Sequence, residues 1–148
     1  MTQLPAAQAR YLDARVTTAS QPELQLMLLD GALRFGRQTQ QLWSAADQRE
    51  KCNQMLARML DIVEELIRGV AGGTADQSKR LEEEYAFAFR QLALAQLNRD
   101  PAPLEAALQI LDFHRETWKL ACEKLRAEAP ALNSPAILAG SESLSLTG

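Results

Sequence analysis

Residues 18–35 read TASQPELQLMLLDGALRF, and the placing of this stretch decides the fold. Ser20 followed by Glu23 three residues on forms a capping box. Pro22 falls in the first turn, where its missing N–H does no harm. From Leu24 onward the apolar residues recur at helical spacing, not in the alternation of a strand. A helix is therefore predicted from Gln21 to about Ala46.

Around that helix, at about 100° per residue from Leu24, Met27, Leu28, Gly31, Ala32, Phe35 and Leu42 fall in one sector, read as the core stripe. Leu26, Leu29 and Leu33 land nearly opposite, at about 140–200°, with Gly36 bordering them. Gln25 separates the stripes on one side and Asp30 with Arg34 on the other. Each mid-helix glycine costs about 0.5–1 kcal/mol relative to alanine. Gly31 and Gly36 therefore point to close neighbours on two sides of the helix.

Outward from this stretch the chain divides into four helices and two terminal segments. Asp47 is expected to cap a second helix from Gln48 to about Val70, which Gly72-Gly73 stops. A third runs from near Asp76 to Asn98, and Asp100 with Pro101 opens a fourth that continues to about Glu128 and ends at Pro130. The absence of period-two patterning and the short loops predict an all-α, antiparallel up-down four-helix bundle over residues 20–129. Residues 1–19 read as an N-terminal arm, and 130–148 as a mobile tail in which Ile137, Leu138, Leu144 and Leu146 offer weak docking points.

The second helix is an ordinary amphipath, with Cys52, Met55, Leu56, Met59, Leu60, Ile62, Val63, Leu66, Ile67 and Val70 on one broad face. The third and fourth are like the first. Leu81, Tyr85, Ala88, Phe89, Leu92 and Ala95 make a core face, while Phe87, Leu94 and Leu97 emerge elsewhere. In the fourth, Leu104, Leu108, Leu111, Trp118, Cys122 and Leu125 face inward, and Ile110, Phe113 and Leu120 stand outside. A bundle core cannot use these extra stripes, and burying each such side chain in a complex contributes about 1.5–3 kcal/mol before ordering costs. An apolar surface of this extent marks an interaction site. Three occupants fit it: an amphipathic helix of another protein, the chain's own arm and tail, or a second copy.

Composition removes other classes. A net charge of −3, a pI near 5.2 and no dense run of Lys or Arg argue against nucleic acid and anionic membranes as partners. No apolar stretch is long enough for a membrane span, and no secretory signal is read at the N-terminus. Cys52 and Cys122 read as small core residues in a reducing cytoplasm. The single histidine, His114, has leucine three residues before it, so the Glu-x-x-His pairs of di-iron bundles are absent, and an interior, hydrogen-bonded histidine is expected. Glu82-Glu83-Glu84 suits the start of a helix as a solvated face. Arg115 points along the core direction, so either its stem snorkels outward or, the favoured reading, a carboxylate of another helix holds it. No nucleophile, base and orienting group share a defensible spacing, and an enzyme is not expected.

Tyr11, Val16, Thr18, Ala19 and Ser20 spell Y-x-x-x-x-V-x-T-A-S and lead directly into LQLMLLDGALRF; Tyr85 and an R-x-x-W at Arg115 and Trp118 follow. From about Tyr11 to Leu125 the chain resembles the flagellar secretion chaperone family FliS. That resemblance implies a cytoplasmic four-helix bundle that clamps the C-terminal segment of flagellin in helical form, prevents premature polymerisation, and delivers it to the flagellar export gate. No nucleotide or metal cofactor is implied. On this reading Leu26, Leu29, Leu33 and Gly36 form one wall of a client groove, and Phe87, Leu94, Ile110, Phe113 and Leu120 supply others. Tyr11 and Val16 belong to an arm that covers part of the surface in the free state. The alternative is a bundle adaptor or homodimer with a non-flagellin partner.

Overall fold

The computed structural model describes residues 20–132, with side chains through Glu128. Four helices fill it: α1, Gln21–Leu42; α2, Arg49–Val70; α3, Asp76–Asn98; and α4, Pro101–Leu132. A short 3-10 turn, Ala46–Gln48, precedes α2. Among the described residues there is no strand. The arm that carries Tyr11 and Val16, and the tail beyond 132, lie outside the described residues.

Each boundary has a local cause. Ser20 caps α1 as expected, its Oγ accepting from the Glu23 N–H and donating to the Glu23 carboxylate at 3.2 Å. The helix ends at Leu42, earlier than Ala46, because Arg99 takes the Trp43 carbonyl at 3.0 Å and lies over the Trp43 ring at 4.2 Å. Asp47 consequently sits in the 3-10 turn and caps nothing. Gly72 adopts φ +81, the left-handed conformation that ends α2 and that glycine alone enters without strain. Asp100 caps α4 through Ala102 N–H at 3.0 Å. Pro130 does not stop that helix; it enters the last turn before Leu132, where a missing N–H forfeits a single hydrogen bond.

The helices form a ring in which α1 and α3 each pack on both α2 and α4. Antiparallel directions show in the cross-links: Gln21 at the start of α1 donates to Gly69 O at the end of α2 (2.6 Å), and Gln96 late in α3 donates to Asn53 O early in α2 (3.2 Å). The expected up-down arrangement is the one found.

The face that α1 buries is not the face its pattern announced. Leu29 is fully sealed and Leu33 nearly so, and Gln25, Ala32, Gly36 and Thr39 join them in the core. That face is centred about 110° from Leu24 on the helical wheel, between the two leucine stripes rather than on one of them. The expected outer wall of Leu29, Leu33 and Gly36 is therefore corrected: all three are interior, and only Leu26 of that group is partly exposed. A Cβ at position 36 would lie 2.2 Å from Leu108 Cδ2 and 2.9 Å from Met59 Cε, so glycine there lets α1 approach α4 and α2 together. At Gly31 the nearest side chain, Ile62, is 3.7 Å away, and no such crowding exists.

Gln25 explains the misplaced centre. Its amide donates to Leu66 O of α2 at 3.3 Å, and its oxygen accepts from the Tyr85 hydroxyl of α3 at 2.7 Å. Trp118 of α4 then donates its indole N–H to the same hydroxyl at 3.0 Å. One chain of hydrogen bonds thus joins all four helices inside the core, and burial drives the Tyr85 pKa far above its ordinary value. A polar residue so satisfied buries like an apolar one.

Arg115 is held as expected, donating from Nε to Asp30 of α1 at 2.5 Å. Asp30 is thereby engaged across the bundle and not with Arg34. Leu125, expected inward, is exposed, because Cys122 already lies level with Glu23 in the first turn of α1 and α4 continues past its neighbours. Cys52 and Cys122 are free and buried.

Candidate binding surface on α3 and α4

Large apolar side chains left open to water are confined, among the described residues, to α3 and α4: Phe87, Leu94 and Leu97 on the former, Phe113, Leu120 and Leu125 on the latter. Phe113 and Leu120 are each 63% exposed, well beyond the incidental exposure of a core-flanking residue. These outward positions follow from helical spacing. Phe87 and Leu94 are seven residues apart, as are Phe113 and Leu120, so each pair lies along one line of its helix. Ile110, expected outside, is half-buried and packs against the core edge.

Between the two helices runs an open groove of about 520 Å3. From α3 it is lined by Gln77, Arg80, Leu81 and Glu84, and from α4 by Phe113, His114, Thr117, Trp118 and Ala121. A second hollow of about 350 Å3 shares Gln77, Leu81 and Trp118 and reaches Gln21, where the chain enters α1. Trp118 therefore has two roles: its indole N–H closes the core hydrogen-bond chain, and its ring forms groove wall.

His114 forms the inner wall. Its ring meets Tyr85 edge-on at 5.2 Å and Phe113 at 5.3 Å. The expectation of an interior histidine holds, but not that of a hydrogen bond at Nε2. The Glu84 carboxylate approaches within 3.3 Å, yet off the direction a ring N–H requires, and among the described residues Nε2 has no hydrogen-bond partner. Burial lowers the His114 pKa, and Arg80 adds to that, against the pull of Glu84. Burial thus favours the uncharged ring. Glu84 is accordingly more than a solvated acid. Neither feature announced itself in the sequence, since an unpaired ring nitrogen depends on angles that no spacing encodes.

The sequence-predicted residues divide in two. Phe113 lines the groove and Phe87, Leu94 and Leu120 are exposed on the same two helices outside its lining, with Ile110 half-buried, whereas Leu29, Leu33 and Gly36 are core and Leu26 lies on α1. The motif positions build the bundle: Leu29 and Leu33 fill it, Asp30 anchors Arg115, and Tyr85 and Trp118 close its polar chain. Among the described residues no group of acids, histidines or cysteines is arranged to hold a metal ion, and no helix is long and apolar enough to cross a membrane.

A family model described as Flagellar protein FliS matches residues 2–125. This chain belongs to the FliS family. A relative named Flagellar secretion chaperone FliS, from Bacillus subtilis (strain 168), is 30% identical over 119 residues, covering 80% of this chain and 87% of the relative. FliS is a family of flagellar chaperones and not of enzymes.

Proposed function

We propose that this chain is a cytosolic flagellar export chaperone that holds the C-terminal segment of flagellin, keeps it from polymerising early, and hands it to the export gate. The observation that carries the reading is the confinement, among the described residues, of exposed large apolar side chains to the two helices flanking the groove. An amphipathic client helix laid along that surface would cover Phe113 and Leu120 on one side and Phe87 and Leu94 on the other. Ordering a disordered client consumes several kcal/mol of the contact energy, so the complex is extensive yet releasable. Leu26, partly exposed on α1, stands outside the lining of this groove. Tyr11 and Val16, in the arm, would shield part of the surface in the free chaperone.

Titration calorimetry of the full chain with a peptide of the flagellin C-terminal segment tests this. Burying Phe113 or Leu120 contributes about 1.5–3 kcal/mol each, so the pair Phe113→Asp and Leu120→Asp should weaken binding by at least ~100-fold. Helix content should not change. Unaltered affinity in that variant refutes the site. A tight dimer of the free chain, dissociated by the same substitutions, favours the homodimer instead.

A further inference from the structure

Buried polar groups are nearly always paired, and His114 Nε2, in a residue only 4% exposed, has no partner among the described residues. What covers it is the Glu84 carboxylate, 3.3 Å away on a side chain that is 28% exposed. That carboxylate itself makes no hydrogen bond among the described residues, so it shifts aside at the cost of a rotamer change. Both residues stand on the groove wall, with Phe113 and Arg80 beside them.

We infer that His114 and Glu84 form a polar subsite within the apolar groove, which receives one hydrogen-bond-donating side chain of the client, a hydroxyl or a primary amide but not an acid. This rests on the client-binding reading and adds the residue chemistry a client must present. A hydroxyl inserted between the two accepts from an Nε2–H and donates to the carboxylate. A primary amide donates to both when Nε2 carries the lone pair. A client carboxylate is opposed by Glu84 itself. The subsite therefore fixes the register of a client helix whose apolar contacts alone would let it slide.

The chain has a single histidine, so its imidazole signals need no assignment. With 15N-labelled full chain and a synthetic flagellin C-terminal peptide, Nε2 should move on saturation. Among peptides with each Ser, Thr, Asn and Gln replaced in turn by an apolar residue, one should bind about tenfold more weakly, the worth of one buried hydrogen bond, and leave Nε2 unmoved. That peptide should lose nothing further against His114→Phe, or against Glu84→Ala where the first variant loses its fold. Binding with an unmoved Nε2, or a tenfold loss that persists in both variants, overturns the subsite alone. No binding of the parent peptide to the unaltered chain overturns the client reading and the subsite with it.

Discussion

Tyr85→Phe removes one oxygen from the core and leaves every apolar contact in place. That oxygen donates to Gln25 Oε1 at 2.7 Å and accepts from Trp118 Nε1 at 3.0 Å. The two stranded partners differ. Trp118 lines the groove, so water can reach its N–H. Gln25 is 1% exposed, and its oxygen is left bare in the core. An unsatisfied buried acceptor costs about 1–3 kcal/mol, which for a domain of this size lowers Tm by about 4–12 °C. Urea unfolding followed by far-UV circular dichroism should show the midpoint falling with the slope unchanged. The sharper test is the double variant with Gln25→Leu. Because the stranded oxygen is then gone, the pair should be no less stable than Tyr85→Phe alone, giving a coupling of at least about 0.5 kcal/mol. Single losses that simply add, or a Tyr85→Phe protein as stable as the parent, would refute the account of Gln25 as a satisfied core residue.

Other substitutions separate core from surface. Leu29→Asp places a carboxylate at a fully sealed position and should cost more than about 4 kcal/mol, leaving no cooperative unfolding transition, whereas Phe113→Asp should melt within about 0.5 kcal/mol of the parent. The two glycines of α1 should respond oppositely. Gly36→Ala meets Leu108 at 2.2 Å and should lose about 1–2 kcal/mol net of its helix propensity. Gly31→Ala meets ordinary contact at 3.7 Å and should gain about 0.5–1 kcal/mol, both read by chemical denaturation. Burial holds the folded His114 pKa below its ordinary 6.5, so the unfolded chain takes up the proton first as pH falls. The stability tied to this group should be intact above pH 6.5 and drain away as pH drops through the lowered value. Its imidazole should titrate below 6.5 by NMR, and His114→Phe should flatten the pH dependence.

Much of this architecture was legible in the residues. The capping box at Ser20, the glycine stop at 72–73 and the Asp100–Pro101 start are local devices whose physics does not depend on the rest of the chain, and each marks a real boundary. Phe113 and Leu120 were legible as outward because the opposite side of α4 is unambiguously apolar. The buried face of α1 was not. Its centre is held by Gln25, Thr39, Ala32 and Gly36, two polar and two small residues, which a hydrophobicity pattern scores as surface or neutral. Their burial depends on partners far along the chain: Tyr85 and Leu66 for Gln25, and Leu108 for Gly36. Thr39 turns its hydroxyl back on Phe35 O at 2.7 Å within its own helix, a bond that leaves no polar atom seeking water. The early end of α1 likewise depended on Arg99, more than fifty residues away.

Leucines stand in two stripes on α1, so more than one rotation of that helix would hide comparable amounts of oil. Apolar attraction has no direction and does not choose among them. Only one rotation brings Gln25 to Tyr85 and Leu66 while presenting Asp30 to Arg115. The residues that make the bundle stable and those that make it unambiguous are therefore different sets. Aliphatic exchanges inside α1 should be forgiven one by one, whereas a change of Gln25 loosens the choice of which side of the helix faces in.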